Sequence, residues 1–162
     1  MNNFYSNAKA KAGKHNFRGG SLLVVEDNPD HWMLIRHGLQ HQLPEVNIVW
    51  VATAPQALEY VHTCAAQNEE LPRLILLDLY LPERQDGFNF LTAIKNATPI
   101  LQRMPVVVLS SSHHKEDVKE AYQLGGSSYL VKPTEPGEWE AYFKAIFEYW
   151  GRTATLPGAP PR

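Results

Sequence analysis

Ser21-Leu-Leu-Val-Val-Glu26-Asp27 is an apolar run that ends in two acids, and Arg73-Leu-Ile-Leu-Leu-Asp78 repeats the pattern with one acid. Runs that are apolar on both faces, and that alternate with helical patterns, are typical of buried parallel strands. The set is completed by one mixed run and two apolar runs: Val46–Trp50, Pro105–Ser110 and Ser127–Pro133. The chain therefore predicts five strands, of which all but the second end in polar residues.

Helical patterns fill the segments between these runs. Asn28-Pro29-Asp30 and Thr53-Ala-Pro55 are typical helix starts, because a capping side chain precedes a proline of the first turn. A third helix is expected after Asp86-Gly87, a fourth from about Lys115 to Leu124, and a fifth after Thr134-Glu-Pro136. Right-handed crossovers then place helices on both faces of the sheet. The sequence predicts an α/β fold with a doubly wound, five-stranded parallel sheet.

The positions of the polar residues favour one strand order. In open parallel sheets, ligands bind beyond the carboxyl ends of the strands, at the point where the strand order reverses. The order 2-1-3-4-5 puts that point between the first and third strands, where Glu26, Asp27 and Asp78 occur. It also puts the second strand, which carries no such residue, at an edge. We therefore expect this order, which is that of flavodoxin-like folds.

The acids at this edge predict a phosphoryl-accepting metal site. Three crowded carboxylates repel one another, and Mg²⁺, a hard cation that prefers oxygen ligands, would neutralise them. Glu26, Asp27 and Asp78 can supply acid ligands, and the backbone carbonyl of Tyr80 can supply another. With the cation bound, Asp78 can act as a nucleophile toward a phosphoryl donor.

Two other strand ends supply groups for the phosphoryl oxygens, which need a cation or hydrogen-bond donors opposite the metal. Lys132 is the expected cation, Ser110 offers a hydroxyl, and Ser111 offers a backbone N–H beside a small side chain. Each residue alone has an ordinary explanation as a helix cap or a turn residue. Those explanations do not account for all of them occurring in order, each at a strand end.

Composition limits the classes of protein that the chain can belong to. Its 162 residues suit one domain, and 44% hydrophobic residues with a net charge of −2 describe a globular protein rather than a nucleic-acid binder. The chain contains no run of about 18 apolar residues, so we expect no membrane span. The single cysteine, Cys64, and the absence of an apolar leader favour the cytoplasm. Cys64 is open to a packing or a catalytic role, and no partner residue supports catalysis.

Three segments are expected along the chain. Residues 1–20 contain Lys9, Lys11, Lys14 and Arg18 with no acid, and we predict a flexible basic tail that either has no role or contacts an acidic partner. Residues 21–150 hold the strand–helix repeats. Residues 151–162 are rich in proline and are predicted to lack regular structure.

On these motifs, residues 21–150 resemble the receiver domain of two-component response regulators. The resemblance is carried by Val25-Glu26-Asp27, Leu77-Asp78-Leu79, Leu81-Pro82 with Asp86-Gly87, Val108-Leu109-Ser110-Ser111, and Ala121-Tyr-Gln-Leu-Gly125 leading to Tyr129-Leu-Val-Lys132-Pro133. It implies that Asp78 is the phosphoacceptor and that Glu26 and Asp27 hold Mg²⁺. It implies three phosphate-binding residues, which are Lys132, Leu79 and Ser111.

The resemblance also implies a two-state switch. Phosphorylated Asp78 would pull the switch hydroxyl of Ser110 toward it, and the switch aromatic, Tyr129, would turn into the vacated space. The face made by predicted helix four, strand five and helix five would change with it. Lys132–Pro133 would be a cis peptide bond.

The sequence departs from the family pattern in two places. The loop Pro82–Gly87 is one residue longer than the commonest version, and Tyr80 is bulky where asparagine or another smaller residue is frequent. Because the position of Tyr80 faces the attacking water in the family, we expect both departures to affect the rate of phosphate loss.

The resemblance implies a sensor histidine kinase or a phosphotransfer protein as donor, and a downstream protein as target. Only twelve residues follow helix five, too few for a helix-turn-helix module, so we expect no nucleic-acid partner. Glu148-Tyr-Trp150 with Thr153-Ala-Thr-Leu-Pro157 resembles the C-terminus of stand-alone regulators that serve bacterial phytochromes. A bacteriophytochrome is therefore one candidate for the kinase.

Several alternatives remain open. The aromatic residues of helix five can be core, or they can form a homodimer surface; they are Trp139, Tyr142, Phe143, Phe147, Tyr149 and Trp150. His31, His113 and His114 can be ordinary loop residues, or they can tune the site or bind a softer metal.

The predicted function is that of a phosphoacceptor that catalyses only its own phosphorylation and dephosphorylation. Its rivals are a phosphatase or hydrolase with an aspartyl nucleophile on the same fold, and a degenerate receiver that only binds partners.

Overall fold

A computed structural model describes residues 15–158, so Lys9, Lys11 and Lys14 of the predicted tail lie outside the described residues. The strands are β1 Ser21–Val25, β2 Asn47–Val51, β3 Leu74–Leu77, β4 Val106–Ser110 and β5 Ser128–Val131. They form one parallel sheet in the order β2-β1-β3-β4-β5. The predicted fold class and strand order are therefore confirmed.

The main helices are α1 Pro29–Gln42, α2 Ala54–Gln67, α3 Arg84–Lys95, α4 Lys115–Gln123 and α5 Trp139–Ile146. All five were expected, although α3 begins before the predicted Asp86-Gly87 start. The short helix Pro99–Gln102 was not predicted, because so few residues show no apolar period. The predicted start of the fifth helix at Pro136 is a 3₁₀ turn, Pro136–Glu138, which leads directly into α5. No helix within residues 15–158 is both long enough and apolar enough to cross a bilayer.

Capping side chains fix where α1 and α2 begin. Asn28 Oδ1 accepts hydrogen bonds from the backbone N–H groups of Asp30, at 2.9 Å, and His31, at 3.2 Å. Thr53 Oγ1 accepts from the N–H of Gln56 at 3.3 Å. Such caps satisfy N–H groups that have no partner within the helix. The cap at Asn28 starts α1 directly after the two acids that follow β1.

Alternate residues of β1 point into two separate cores. Leu22 and Val24 pack with residues of α1 and α5 on one face of the sheet. Leu23 and Val25 pack with residues of α2 and α3 on the other face. A smaller cluster joins α4 to the strands that flank it. The edge strands β2 and β5 are only partly buried, whereas the three central strands are fully buried.

The prediction of a flexible tail over residues 1–20 is wrong at its carboxyl end. Phe17 is 1% exposed and belongs to the core shared by α1 and α5. The backbone N–H of Asn16 donates to the carbonyl of Gly151 at 2.8 Å, and Arg73 donates to the carbonyls of Asn16 and Arg18. Phe17 has polar residues on both sides in the sequence and belongs to no apolar period, so only its tertiary contacts reveal this packing.

The prediction that regular structure stops before residue 151 is also wrong. A π-helix, Phe147–Thr153, continues α5, and the N–H of Ala154 donates to the carbonyl of Tyr149 at 2.7 Å. Leu156, beyond it, is 4% exposed and lies in the same core as Phe17. The predicted irregular tail is therefore tested only as far as residue 158, because the residues that follow lie outside the described part of the chain.

The aromatic stripe of α5 is mostly core. Trp139, Phe143 and Phe147 are buried, while Tyr142 and Trp150 are half-buried against the same core. Tyr149, by contrast, is 55% exposed. The packing interpretation is therefore correct for most of the stripe.

The expected cis peptide bond at Lys132–Pro133 is wrong. Within residues 15–158, the cis bond is Leu81–Pro82. The trans form of an X–Pro bond is favoured by only about 0.5–1 kcal/mol, so the sequence around a proline does not decide its isomer.

Candidate functional site

The acids that end β1 and β3 meet at one edge of the sheet. Val25 and Leu77 are paired in register, which brings the residues that follow them side by side. One ligand atom each of Glu26, Asp27 and Asp78 lies within 4.8 Å of the others. Glu26 and Asp78 are buried, and Asp27 is partly exposed.

Lys132 follows β5, the edge strand at the opposite end of the sheet from β2, and its side chain extends into this cluster. Its ammonium is a donor with three N–H groups. The Nζ atom lies 2.6 Å from Glu26 Oε2, 3.0 Å from Asp78 Oδ2 and 3.1 Å from His31 Nδ1. Because the side chain of Lys132 is only 2% exposed, these three acceptors replace the water that it loses on burial.

His31, in the first turn of α1, is the acceptor that sequence reasoning did not assign. Burial and the charge of Lys132 lower the pKa of His31, so its ring is neutral near pH 7. Lys132 can only donate, and therefore His31 Nδ1 must accept and the ring proton must lie on Nε2. His31 thus helps to hold Lys132 in place.

Burial, together with the charge of Asp78, raises the pKa of Glu26 to about 7. Lys132 and the backbone N–H of Asn28, which donates to Glu26 Oε1 at 3.1 Å, act in the opposite direction. One ammonium does not balance three carboxylates in a buried site. The site therefore has an excess of negative charge that a cation can neutralise.

The remaining predicted residues differ in how they relate to the carboxylate of Asp78. The backbone N–H of Tyr80 donates to Asp78 Oδ1 at 3.3 Å. Ser111 follows β4 and is exposed, whereas Leu79 is fully buried. Ser110 is also fully buried, and its Oγ accepts a hydrogen bond from the N–H of Ser112 at 3.2 Å.

A cavity of about 440 Å³ opens over Asp78. Eight residues line it: Asp27, Asn28, His31, Asp78, Tyr80, Ser111, Ser112 and His114. Ser110 and Tyr129 are not among these lining residues. Tyr129, in β5, donates from its hydroxyl to the carbonyl of Ser112 at 2.8 Å, in the loop after β4, and it also packs against the hydrophobic cluster that contains Leu79.

A second cluster of polar side chains lies beside the cavity and was missed by sequence reasoning. Asp117 of α4 is 3% exposed and accepts hydrogen bonds from the side chains of Ser112, Tyr80 and Arg84. In sequence, an acid in the first turn of a helix indicates only a favourable interaction with the helix dipole. No periodicity signals its burial, because its three partners come from the loop after β3, the loop after β4 and the start of α3.

The donor set of the acidic cluster fits a hard divalent cation. Glu26, Asp27 and Asp78 offer carboxylate oxygens and no sulfur, and Mg²⁺ and Mn²⁺ favour such ligands. Within residues 15–158, this trio is the group of potential ligands found close enough together to hold a metal. His113 and His114 stack on each other at the cavity side and do not belong to the trio.

The site and the fold resemble proteins of known family. A family model described as the response regulator receiver domain matches residues 22–144. FilR2 of Methanothrix harundinacea is 36% identical over 137 residues, which cover 85% of this chain and 87% of FilR2. The response regulator Rcp1 of Synechocystis is 33% identical over 139 residues, which cover 85% of this chain and 93% of Rcp1.

Solved structures give the same result. The phosphorylated cyanobacterial phytochrome response regulator RcpA has a TM-score of 0.78 and 36% identity, covering 86% of this chain and 99% of RcpA. The Mn²⁺-bound form of Rcp1 has a TM-score of 0.76 and 32% identity, covering 86% of this chain and 99% of Rcp1.

Proposed function

The chain belongs to the response regulator receiver domain family of two-component signalling proteins, and from this premise we propose that Asp78 accepts a phosphoryl group from a sensor histidine kinase or a phosphotransfer protein. One observation carries the proposal. The Asp78 carboxylate lies 3.0 Å from the ammonium of Lys132, within 4.8 Å of ligand atoms of two other acids, and at the floor of an open cavity.

Glu26, Asp27 and Asp78 would hold Mg²⁺, with the backbone carbonyl of Tyr80 as a further ligand. The bound cation would neutralise charge on the transferring phosphoryl group, as divalent ions do in phosphoryl transfer. Glu26 and Asp27 contribute by keeping their charged oxygens close to Asp78 without blocking the cavity.

Asp78 acts as the nucleophile in this proposal. A carboxylate oxygen forms a bond to phosphorus, and the bond from phosphorus to the donor nitrogen or oxygen breaks, with the electron pair leaving on the donor. Lys132 is already within hydrogen-bond distance of Asp78 and can donate to a phosphoryl oxygen. Leu79 and Ser111 would bind the other oxygens, Ser111 through its backbone N–H.

Intact-mass analysis after incubation with acetyl phosphate and Mg²⁺ tests this function. We expect one phosphoryl group on the wild type and none on Asp78→Asn. Asp86→Asn is a matched control, because Asp86 lies outside the acidic cluster. This variant should acquire the phosphoryl group on Asp78 as the wild type does. A wild type that never acquires the adduct would contradict the proposal, and it would favour a receiver that only binds partners.

A second assay, phosphate release from a phosphomonoester, separates the receiver from a hydrolase. Hydrolases with an aspartyl nucleophile usually carry a second acid two residues after it as general acid or base, and Tyr80 stands at that position. We therefore expect self-phosphorylation without turnover of a phosphomonoester. Release of many equivalents of phosphate per protein would favour the hydrolase.

Phosphorylation is proposed to act through Ser110 and Tyr129. Moving a two-state equilibrium from 1:99 to 99:1 takes about 5.5 kcal/mol of differential binding, and one charge-assisted hydrogen bond supplies about 1.5–3 kcal/mol. Ser110 alone is thus insufficient, and Lys132 must contribute. Ser110→Ala should accept phosphate but change its affinity for a partner only weakly; an undiminished change would rule out this switch.

The output surface is proposed to be the face of α4, β5 and α5. Tyr122 of α4 and Val131 of β5 are 51% and 44% exposed, and Tyr149, in the π-helix that continues α5, is 55% exposed. Large exposed side chains of this kind can contribute to a contact surface. The partner can be a downstream protein or a second copy of the chain. Light scattering at micromolar concentration, with and without phosphorylation, distinguishes a homodimer from a monomer.

The protein is proposed to act in the cytoplasm. Its phosphoryl donor is proposed to be a phytochrome-type kinase. The proposal is supported by the similarity to RcpA, a cyanobacterial phytochrome response regulator. Phosphotransfer from an autophosphorylated bacteriophytochrome should then be faster than from a histidine kinase of unrelated input. Equal rates from both donors would argue against it.

A further inference from the structure

Asp117 connects α4 to the mouth of the cavity over Asp78. Its Oδ2 atom accepts from the hydroxyl of Ser112 at 2.5 Å and from the hydroxyl of Tyr80 at 3.1 Å. Its Oδ1 atom accepts from Arg84 Nε at 2.5 Å. A carboxylate that is 3% exposed and takes three charge-assisted or hydroxyl hydrogen bonds has its position fixed by them.

Tyr80 is held at both ends. Its backbone N–H donates to Asp78 Oδ1, and its hydroxyl donates to Asp117 Oδ2. The ring between these two points lines the cavity and is 38% exposed, so it lies on the solvent side of the site. A tyrosine fixed in this way narrows the path by which water reaches Asp78.

Ser112 is held in a similar way by bonds from its side chain and its backbone. Its hydroxyl donates to Asp117, its backbone N–H donates to Ser110 Oγ, and its carbonyl accepts from the hydroxyl of Tyr129. Ser112 also lines the cavity. Asp117 therefore binds one residue from each of the two loops, after β3 and after β4, that border the opening.

Arg84 keeps Asp117 in place. Its guanidinium bridges Asp117 and Glu120 of α4, and it lies over the ring of Phe88, 4.3 Å from the centroid. Arg84 is the first residue of α3 and lies within Pro82–Gly87, the segment that is one residue longer than the common family version. The two departures from the family pattern, the long loop and the bulky Tyr80, thus meet at one buried carboxylate.

We propose that Asp117 is a positioning residue that clamps Tyr80 and Ser112 over the cavity and slows hydrolysis of the phosphorylated Asp78. The inference rests on the proposed function. In hydrolysis, a water oxygen bonds to phosphorus, and the bond from phosphorus to the Asp78 oxygen breaks with its electron pair remaining on the carboxylate. The water gives up its proton to solvent, and phosphate leaves. A clamped Tyr80 and Ser112 restrict the approach of that water.

The test measures the first-order loss of the phosphoryl group after removal of acetyl phosphate. Asp117→Ala should hydrolyse about tenfold faster than the wild type, the factor that one lost hydrogen-bonding group supplies. Its Mg²⁺ dissociation constant should stay within about twofold, because Asp117 lies outside the acidic trio. Tyr80→Phe keeps the ring but loses its attachment, so it should also accelerate hydrolysis.

Two comparisons show whether Asp117 acts through its partners. Glu116→Ala removes an exposed acid from the neighbouring position of α4 and should leave the hydrolysis rate unchanged. In a Tyr80→Phe/Ser112→Ala background, adding Asp117→Ala should change the rate by less than about twofold, because its targets are already gone.

The outcomes separate this inference from the proposed function. An adduct that forms on every variant and is lost at the wild-type rate, or more slowly, from Asp117→Ala overturns the clamp alone. A full tenfold effect of Asp117→Ala in the double-variant background also overturns it. Absence of the adduct from the wild type overturns both proposals.

Discussion

Gly87→Ala is expected to damage both the stability and the site, although alanine usually stabilises a helix. Gly87 lies in the first turn of α3, and its backbone N–H donates to the carbonyl of Leu79 at 3.0 Å. An added Cβ would lie 2.3 Å from that carbonyl oxygen, 2.4 Å from Leu79 Cα and 2.7 Å from Leu79 C. Leu79 follows Asp78 directly, so any relief of the clash moves the site.

The magnitude follows from two opposing contributions. Alanine in place of glycine within a helix gains about 0.5–1 kcal/mol. Overpacking typically costs about 1–3 kcal/mol, and the upper end applies here because the clash is with backbone, which no rotamer change can relieve. The net loss is about 2 kcal/mol of unfolding free energy.

Urea denaturation followed by circular dichroism measures this loss. With a slope of about 2 kcal/mol per M, the transition midpoint should fall by about 1 M. Phosphorylation of Asp78 by acetyl phosphate should also slow, because the displaced Leu79 shifts the carboxylate.

Gly137→Ala is the matched control, since an added Cβ there meets nothing within 4 Å. Its midpoint should stay within about 0.25 M of the wild type, the equivalent of about 0.5 kcal/mol. If Gly87→Ala proved as stable as this control, the close approach of α3 to Leu79 would be wrong.

Three further perturbations address the core, the charge network and the metal. Phe17→Ala should lose about 3–5 kcal/mol in urea denaturation because Phe17 is buried in the α1–α5 core; a loss below about 1 kcal/mol would contradict that packing. Burial raises the pKa of Asp117, but hydrogen bonds from Ser112, Arg84 and Tyr80 outweigh it, so the pKa lies below its ordinary value of 3.8. Asp117 therefore stabilises the fold above pH 3.8 and loses this effect as pH falls below it, and the stability difference from Asp117→Ala should shrink over the same range. Asp27→Asn should weaken Mg²⁺ binding by at least about tenfold. The emission of Trp50, whose Nε1 donates to the carbonyl of Glu26 at 2.8 Å, should report that binding, and equal affinities would exclude Asp27 as a ligand.

The sequence was sufficient for the architecture because local and global signals agree. Most of the strands come from runs that are apolar on both faces, α1 and α2 begin at capping residues, and every strand except β2 is followed by or ends in a polar residue in the order that the sheet requires. The convergence of Glu26, Asp27 and Asp78 follows from strand order alone, since parallel strands end at the same edge.

The sequence was insufficient where contacts are tertiary. Phe17 has no apolar neighbours in sequence, and its burial depends on a core built by α1 and α5. The sequence predicts ordinary surface or capping positions for Asp117, Arg84 and Ser112. Only the folded structure brings these three residues together. His31 stood in a helix start, where nothing marked it as an acceptor for Lys132.

The packing of residues 16 and 17 against the end of the last helix bears on how the domain is delimited. The side chain of Asn16 donates to the carbonyls of Trp150 and Ala154, both at 2.7 Å, and lies outside the 22–144 span that matches the family. A fragment cut at the family limits would lack Phe17, Phe147 and Leu156 and would leave one side of the hydrophobic core open to water. The folded core thus extends beyond the residues that the family model matches, and the hydrogen bond from the Asn16 N–H to the Gly151 carbonyl joins its two ends.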